Sequence, residues 1–169
     1  VAQRTAIFTN NDDGHKTARD LVGKGIDIAA VVDVRPDAPV ASEFEVLAGA
    51  QIVDSNGRLG LTQVTVKMAD GSSRTLDCGA LGMAGGWNPN VHLTCHQRGR
   101  PAWQENIAAF VPGENLPAGM TVAGAATGEM STAMALQTGA EAANKALDLK
   151  GKLPTLPEAE DAPVAIKPF

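Results

Sequence analysis

Of the nine residues from Ile26 to Val34 (IDIAAVVDV), seven are apolar. A short run of this kind, rich in β-branched residues, fits a strand buried on both faces, as strands inside a parallel sheet are. Its parallel neighbour must be reached by a right-handed crossover, and the residues ahead of it supply one. Arg4 to Thr9 is a short β-branched and aromatic run, and Asn10 to Gly14 are all turn or capping residues. Asp12 or Asp13 stands where it can cap a helix from about His15 to Gly23, with Ala18, Leu21 and Val22 on one face and Gly25 as its stop. The reading is β-α-β, with two adjacent parallel strands, and an α/β fold class.

A chain of 169 residues, 44% hydrophobic, is long enough for a sizeable core. Its 14 basic and 19 acidic residues give a net charge of −5 without a Lys/Arg cluster, which argues against nucleic acid as a partner. No apolar run of bilayer-spanning length is present. Two cysteines, Cys78 and Cys95, read as reduced thiols of a cytoplasmic protein. The start at Val1 rather than Met, directly ahead of a strand, reads as the beginning of an internal piece of a longer chain.

Beyond Pro36 and Pro39 a weaker helical stretch, Ser42 to Leu47, is expected, followed by "AQIVDS". "GLTQVTVKMADGSSRTLDC" alternates apolar and polar residues about Asp70-Gly71, the pattern of an antiparallel hairpin. Ala80 to Gly85 returns to a buried-strand composition, and from there to Ala118 the chain reads as irregular. "MTVAGAATG" is predicted as a strand ending in glycines. A helix follows from Ser131 to Leu147, where Ala133, Leu136, Ala140, Ala143 and Leu147 repeat at spacings of three and four. The proline-rich, acidic end reads as a linker or extended arm.

The opening "RTAIFTNNDDGH" has the place of a dinucleotide-binding turn but carries Asn10, Asn11, Asp12 and Asp13 where glycines usually let a pyrophosphate approach the backbone. Those side chains block the approach and the carboxylates repel phosphate. Asp33, at the end of the second strand, has the place of a ribose-binding carboxylate, and Arg35 that of a 2′-phosphate partner. Without a glycine turn, both read better as ordinary strand-end charges. His92, Cys95 and His96 have metal-ligand spacing but no second ligand pair, and Cys95 lacks a partner cysteine for redox work. Trp87, Trp103, Met130 and Met134 read as packing residues. No catalytic constellation is visible.

The order of elements resembles the second dinucleotide-type domain of two-domain flavoprotein disulfide reductases, with the strand and helix by which the chain returns to the first domain. Gly86-Trp87-Asn88-Pro89-Asn90 is similar to the Gly-Arg-x-Pro-Asn segment leaving that second domain, and "VAGAATG" to the returning strand. In detail, "AIFTNNDDGHKTARDL", "VVDVR", "GGWNPNVHL" and "VAGAATG" resemble the α subunit of heterotetrameric sarcosine oxidase, from Arg4 to Leu147. The resemblance implies a Rossmann-like FAD/NAD(P)-binding fold of second-domain type, with an inserted antiparallel hairpin or meander. It implies residues 1–118 as that domain, 119–150 as the return to the first, and 151–169 as a linker. It also implies NAD bound to the intact α subunit, with Gly124, Ala125, Ala126, Thr127 and Gly128 forming the far wall of its site.

In such an enzyme sarcosine is oxidatively demethylated to glycine on a flavin of the β subunit, with formation of hydrogen peroxide. A second flavin lies at the α/β contact, FAD and FMN being the two, and the one-carbon unit passes to tetrahydrofolate. The implied partners are the β, γ and δ subunits. The isolated piece would be inactive. Two other readings stand beside this one: a fragment of a pyridine-nucleotide-dependent reductase, and an interaction domain that kept the fold and lost its ligands.

Overall fold

The computed structural model describes residues 4–148 and 155–159; most of the expected arm over 151–169 therefore lies outside the described residues. The chain forms two compact units, dividing between Gly86 and Trp87.

In the first unit, β1 (Thr5–Thr9), α1 (Asp12–Gly23) and β2 (Ile28–Asp33) form the anticipated βαβ. β1 and β2 are adjacent and parallel, with Thr9 opposite Asp33, and every residue of β2 is buried. The cap of α1 differs from expectation. Asn11 is the capping residue, extended at φ −154° and ψ 175°, and its side chain accepts the amide of Asp13. Asp12 and Asp13 fall in the first turn instead, where their carboxylates face the positive end of the helix dipole.

No helix forms over Ser42 to Leu47. β3 (Val46–Ala48) runs there, parallel to β2, with Val46 opposite Val31. Six residues are too few to repay helix nucleation, and the open edge of a fully buried strand needs hydrogen-bond partners; Val31 N–H donates to Glu45 O at 2.8 Å. β4 (Gln51–Asn56), β5 (Gln63–Lys67) and β6 (Ser73–Asp77) make a separate three-stranded antiparallel sheet, with the expected turn at Asp70-Gly71. β7 (Ala80–Ala84) completes the parallel sheet in the order β3-β2-β1-β7. It is an edge strand with Met83 67% exposed, so its apolar composition does not reflect burial on both faces.

The parallel sheet carries an apolar cluster on each face. Ile7, Ala18, Ile28, Val31 and Phe44 pack on the α1 side. Ala6, Phe8, Ala30 and Val32 pack against Val64, Val66 and Leu76 of the antiparallel sheet. The register of β1 against β2 slips by one between Thr5 and Ala6: Thr5 faces Ile28, and Ala6 faces Ala30. Cys78 lies in the second cluster, and burial pushes its thiol pKa up, so it behaves as a small core residue.

The second unit holds a stretch of 3-10 turns at Leu93–Arg98 and an antiparallel pair, β8 (Ala102–Gln104) with β9 (Ala109–Val111), inside the region read as irregular. Trp103 and Phe110 stack edge to face across that pair at 5.2 Å and are half exposed. Trp103 therefore packs as expected, on Phe110, and Trp87 is 68% exposed. The segment from Met120 to Ala123 is not a strand. Ala123 is extended at φ −145° and ψ 164°, but an isolated extended segment becomes a strand only when a neighbour completes its ladder. Gly124–Thr127 is a short 3-10 turn, and α2 (Thr132–Ala146) begins at the cap Ser131, whose hydroxyl accepts the Met134 amide. α2 has no buried residue among those described, and Ala133, Ala143 and Leu147 of its predicted apolar face are exposed.

Candidate functional site

The C-terminal ends of β1 and β2 and the start of α1 are where a fold of this kind receives a dinucleotide. Here that place is filled by the chain itself. Thr9, Asn11 and Gly14 occupy the spacing of a G-x-G-x-x-G fingerprint, and only the last position keeps its glycine. In such a fingerprint the third glycine allows close packing of helix on strand, while the first two serve the turn and the pyrophosphate. The structure agrees with this division: an ideal Cβ on Gly14 would fall inside contact distance of the Thr9 Cβ and Oγ1. The packing glycine is kept and the ligand glycines are gone. Its spacing was the signal that could have been read from the sequence.

Asn10 and Asn11, expected to obstruct a phosphate, are both 2% exposed and turned inward. Asn11 Oδ1 accepts the Asp13 amide at 2.9 Å, taking a helix N–H that an anion would need. Asp33 and Arg35 are more than strand-end charges. Asp33 is fully buried and Arg35 is 6% exposed. Arg35 Nη2 donates to Asp33 Oδ2 at 2.8 Å and to Asp12 Oδ1 at 2.7 Å, and Nε donates to both Asp33 oxygens at 3.1 and 3.2 Å. The Arg35 amide donates to Asp33 Oδ1 at 2.9 Å.

His15, which the sequence reading placed only at the start of a helix, is the third member. It is 1% exposed, and its Nε2 lies 2.7 Å from Asp33 Oδ2. A carboxylate only accepts, so Nε2 carries the hydrogen; Nδ1 is buried with no hydrogen-bond partner among the described residues. Burial alone would push the Asp33 carboxyl up; the hydrogen bonds from His15 and Arg35 outweigh it and hold the pKa at about 2. The same hydrogen bond to Asp33 pushes Arg35 up. The carboxylate that would hold a ribose and the arginine that would hold a phosphate are thus spent on each other.

The five residues Gly124 to Gly128 lie in the second unit, where Gly124 packs beside Ala135 of α2 rather than at that helix's start, which comes only at Thr132. Gly124 N–H donates to Thr138 Oγ1 at 3.0 Å and Gly128 N–H to Ala125 O at 3.2 Å, so neither amide is held ready for a phosphate. Thr127 Oγ1 donates to Gly124 O, and Ala125 is exposed. The small side chains fit a close van der Waals approach better than an anion cradle. Gly128 has φ +92°, and a Cβ there would stand 2.9 Å from Ile107 and Val111, so a larger residue would strain the backbone and clash with both. His92 Nδ1 pairs with Asn90 Oδ1 at 2.8 Å, and among the described residues no three His, Cys, Asp or Glu side chains are grouped to hold a metal.

Parallel sheet, crossover helix and inserted antiparallel sheet together define the FAD/NAD-binding fold of flavoprotein reductases. A solved structure, bacillithiol disulfide reductase from Staphylococcus aureus, shares it with a TM-score of 0.54 over 67% of this chain and 37% of its own, at 14% identity. In sequence, the chain is related to the α subunit of sarcosine oxidase. It is 36% identical over 137 residues to that subunit from Rhizobium meliloti (strain 1021), and 31% identical over 178 residues to that from Corynebacterium sp. (strain P-1). These matches cover 80% and 96% of this chain but only 14% and 18% of the relatives. No family model matches the chain.

Proposed function

We propose that this chain is a scaffold segment of a cytoplasmic sarcosine oxidase-type α subunit, supporting NAD binding and subunit assembly without holding a nucleotide in its own βαβ turn. The observation that carries this is the consumed ligand set: Asn11 on the helix amide, Arg35 on Asp33 and Asp12, and Asp33 on His15 and Arg35. On this reading residues 1–118 are a second dinucleotide-type domain and 119–150 the return to the first. Gly124 to Gly128 then contribute an uncharged wall to the NAD site of the intact subunit. The assembled enzyme would demethylate sarcosine oxidatively with FAD, FMN and tetrahydrofolate, together with β, γ and δ subunits; this chain's residues supply no step of that chemistry.

The reductase alternative requires a working nucleotide turn, so a titration separates the two. Calorimetric titration of the full chain with NAD and NADP should show no saturation in the micromolar range. A low micromolar dissociation constant, about −8 kcal/mol, would restore the reductase reading. The wall is tested at Ala125, because it is exposed and its backbone is not left-handed. Ala125→Leu in the assembled α subunit should lower the NAD retained after gel filtration while leaving the melting temperature of the segment unchanged. Retention at the wild-type level would reduce Gly124 to Gly128 to a packing element.

A further inference from the structure

The polar residues that replaced the ligand glycines do something besides obstruct. Their donors converge on two successive carbonyl oxygens, those of Ala84 and Gly85, where the chain leaves β7. Asn11 Nδ2 donates to Ala84 O at 3.0 Å and the Asn10 amide at 3.4 Å, while Thr9 Oγ1 lies 3.1 Å from the same oxygen and 2.9 Å from Asn11 O, its one hydrogen shared between the two. Asn10 Nδ2 donates to Gly85 O at 3.3 Å. The donors are themselves braced, since Asn11 Nδ2 also donates to Asn10 Oδ1 at 2.8 Å and Thr9 Oγ1 accepts the Asn11 amide at 3.2 Å. Thr9, Asn10 and Asn11 are each at most 2% exposed, so the donor side of these bonds is buried, while Ala84 is half-buried and Gly85 exposed.

β7 is an edge strand, bonded only to β1 within its sheet. An edge strand's last residues are ordinarily the first to fray. Glycines at the first two fingerprint positions would lack the side-chain donors of Thr9 and Asn11, and Asn10 between them adds a third. Immediately beyond lies Gly86 at φ +88°, the last residue of the first unit, followed by exposed Trp87.

We propose that the polar turn is a clasp: Thr9, Asn10 and Asn11 hold the end of β7 so that the backbone is fixed through Gly85. Thr9 and Asn11, at the two ligand-glycine positions, thus both close the turn and serve the clasp. This inference stands independently of whether an NAD site exists elsewhere in the subunit.

Hydrogen exchange read by mass spectrometry on the full chain tests it, with the substitutions Thr9→Val, which keeps the side-chain shape, and Asn10→Ala. Each should speed exchange of the Met83 to Trp87 amides about fivefold, the factor for one net hydrogen bond, with β2 and β5 unchanged. Chymotrypsin should cut after Trp87 faster by a similar factor relative to Trp103. Equal acceleration everywhere would reflect global destabilisation and overturn the clasp, as would an unchanged β7 end. Thr9→Val keeps the test available should Asn10→Ala not fold.

Discussion

Asp33→Asn should lower the stability of the full chain by about 3 to 5 kcal/mol, the usual cost of removing one partner from a buried ion pair. The amide keeps the size of the carboxylate but takes from the buried Arg35 its buried ion-pair partner; the Asp12 side chain that it also contacts is 51% exposed. It also gives His15 a weaker acceptor in a site that is 1% exposed. Urea unfolding should show this as a lower midpoint with the same slope, and the melting temperature should fall by about 6 to 20 °C for a chain of this length. The pH dependence follows from the same carboxyl. Its pKa in the folded chain, about 2, lies below the ordinary 3.8, so the unfolded chain binds the proton more readily. The stabilisation is therefore complete above about pH 4 and is lost as the pH falls toward 2, amounting to about 2 to 3 kcal/mol. Asp33→Asn should flatten that part of the stability curve and leave the region above pH 5 parallel to wild type. A variant as stable as wild type would mean that the network contributes nothing net.

The second large effect is expected at Gly14. Gly14→Ala places a methyl against the Thr9 side chain, within 2.8 Å of its Cγ2 and closer still to Cβ and Oγ1. Thr9 is fully buried and cannot swing away, so α1 must lift from β1. Overpacking of this kind costs about 1 to 3 kcal/mol, of which the better helix propensity of alanine recovers less than about 1 kcal/mol. The obstructing atoms all belong to one side chain, and that makes the cause separable. Thr9→Gly removes them, so the double variant Thr9→Gly/Gly14→Ala should be more stable than the sum of the two single losses predicts, by about 1 to 2 kcal/mol. Strict additivity in urea unfolding would show that the helix start tolerates the methyl for another reason.

The βαβ order, the buried character of β2 and the Asp70-Gly71 hairpin were legible because each rests on local periodicity or turn chemistry. The strand at Val46–Ala48 was not, because three residues carry no period and their state is decided by the open edge of β2. The polar cluster was half legible. Asp33 and Arg35 could be named from their place at a strand end, but their burial follows from His15, eighteen residues earlier, lying against the same carboxylate. Nothing in the spacing from 15 to 33 announces that meeting; it depends on how α1 crosses the sheet. The inward turn of Asn10 and Asn11 was likewise invisible, since the carbonyls they bind belong to residues 84 and 85. The extended but unpaired segment before Gly124 reads as a strand from composition, and composition cannot supply a neighbour.

The slip in register between β1 and β2 decides which side of the sheet carries the charge. Along an unbroken strand, side chains alternate, and Ile28, Ala30 and Val32 would share a face, with Asp33 on the other. Ile28 packs on the α1 side, so in that phase Asp33 would point at the apolar antiparallel sheet, among Val64, Val66 and Leu76. The extra residue at Ala29 reverses the alternation: Val31 joins Ile28 beneath the helix, and Asp33 follows it to His15. A single inserted alanine therefore works as a parity bit, written at the start of β2 and read at its end, that selects which layer of the fold receives its buried anion.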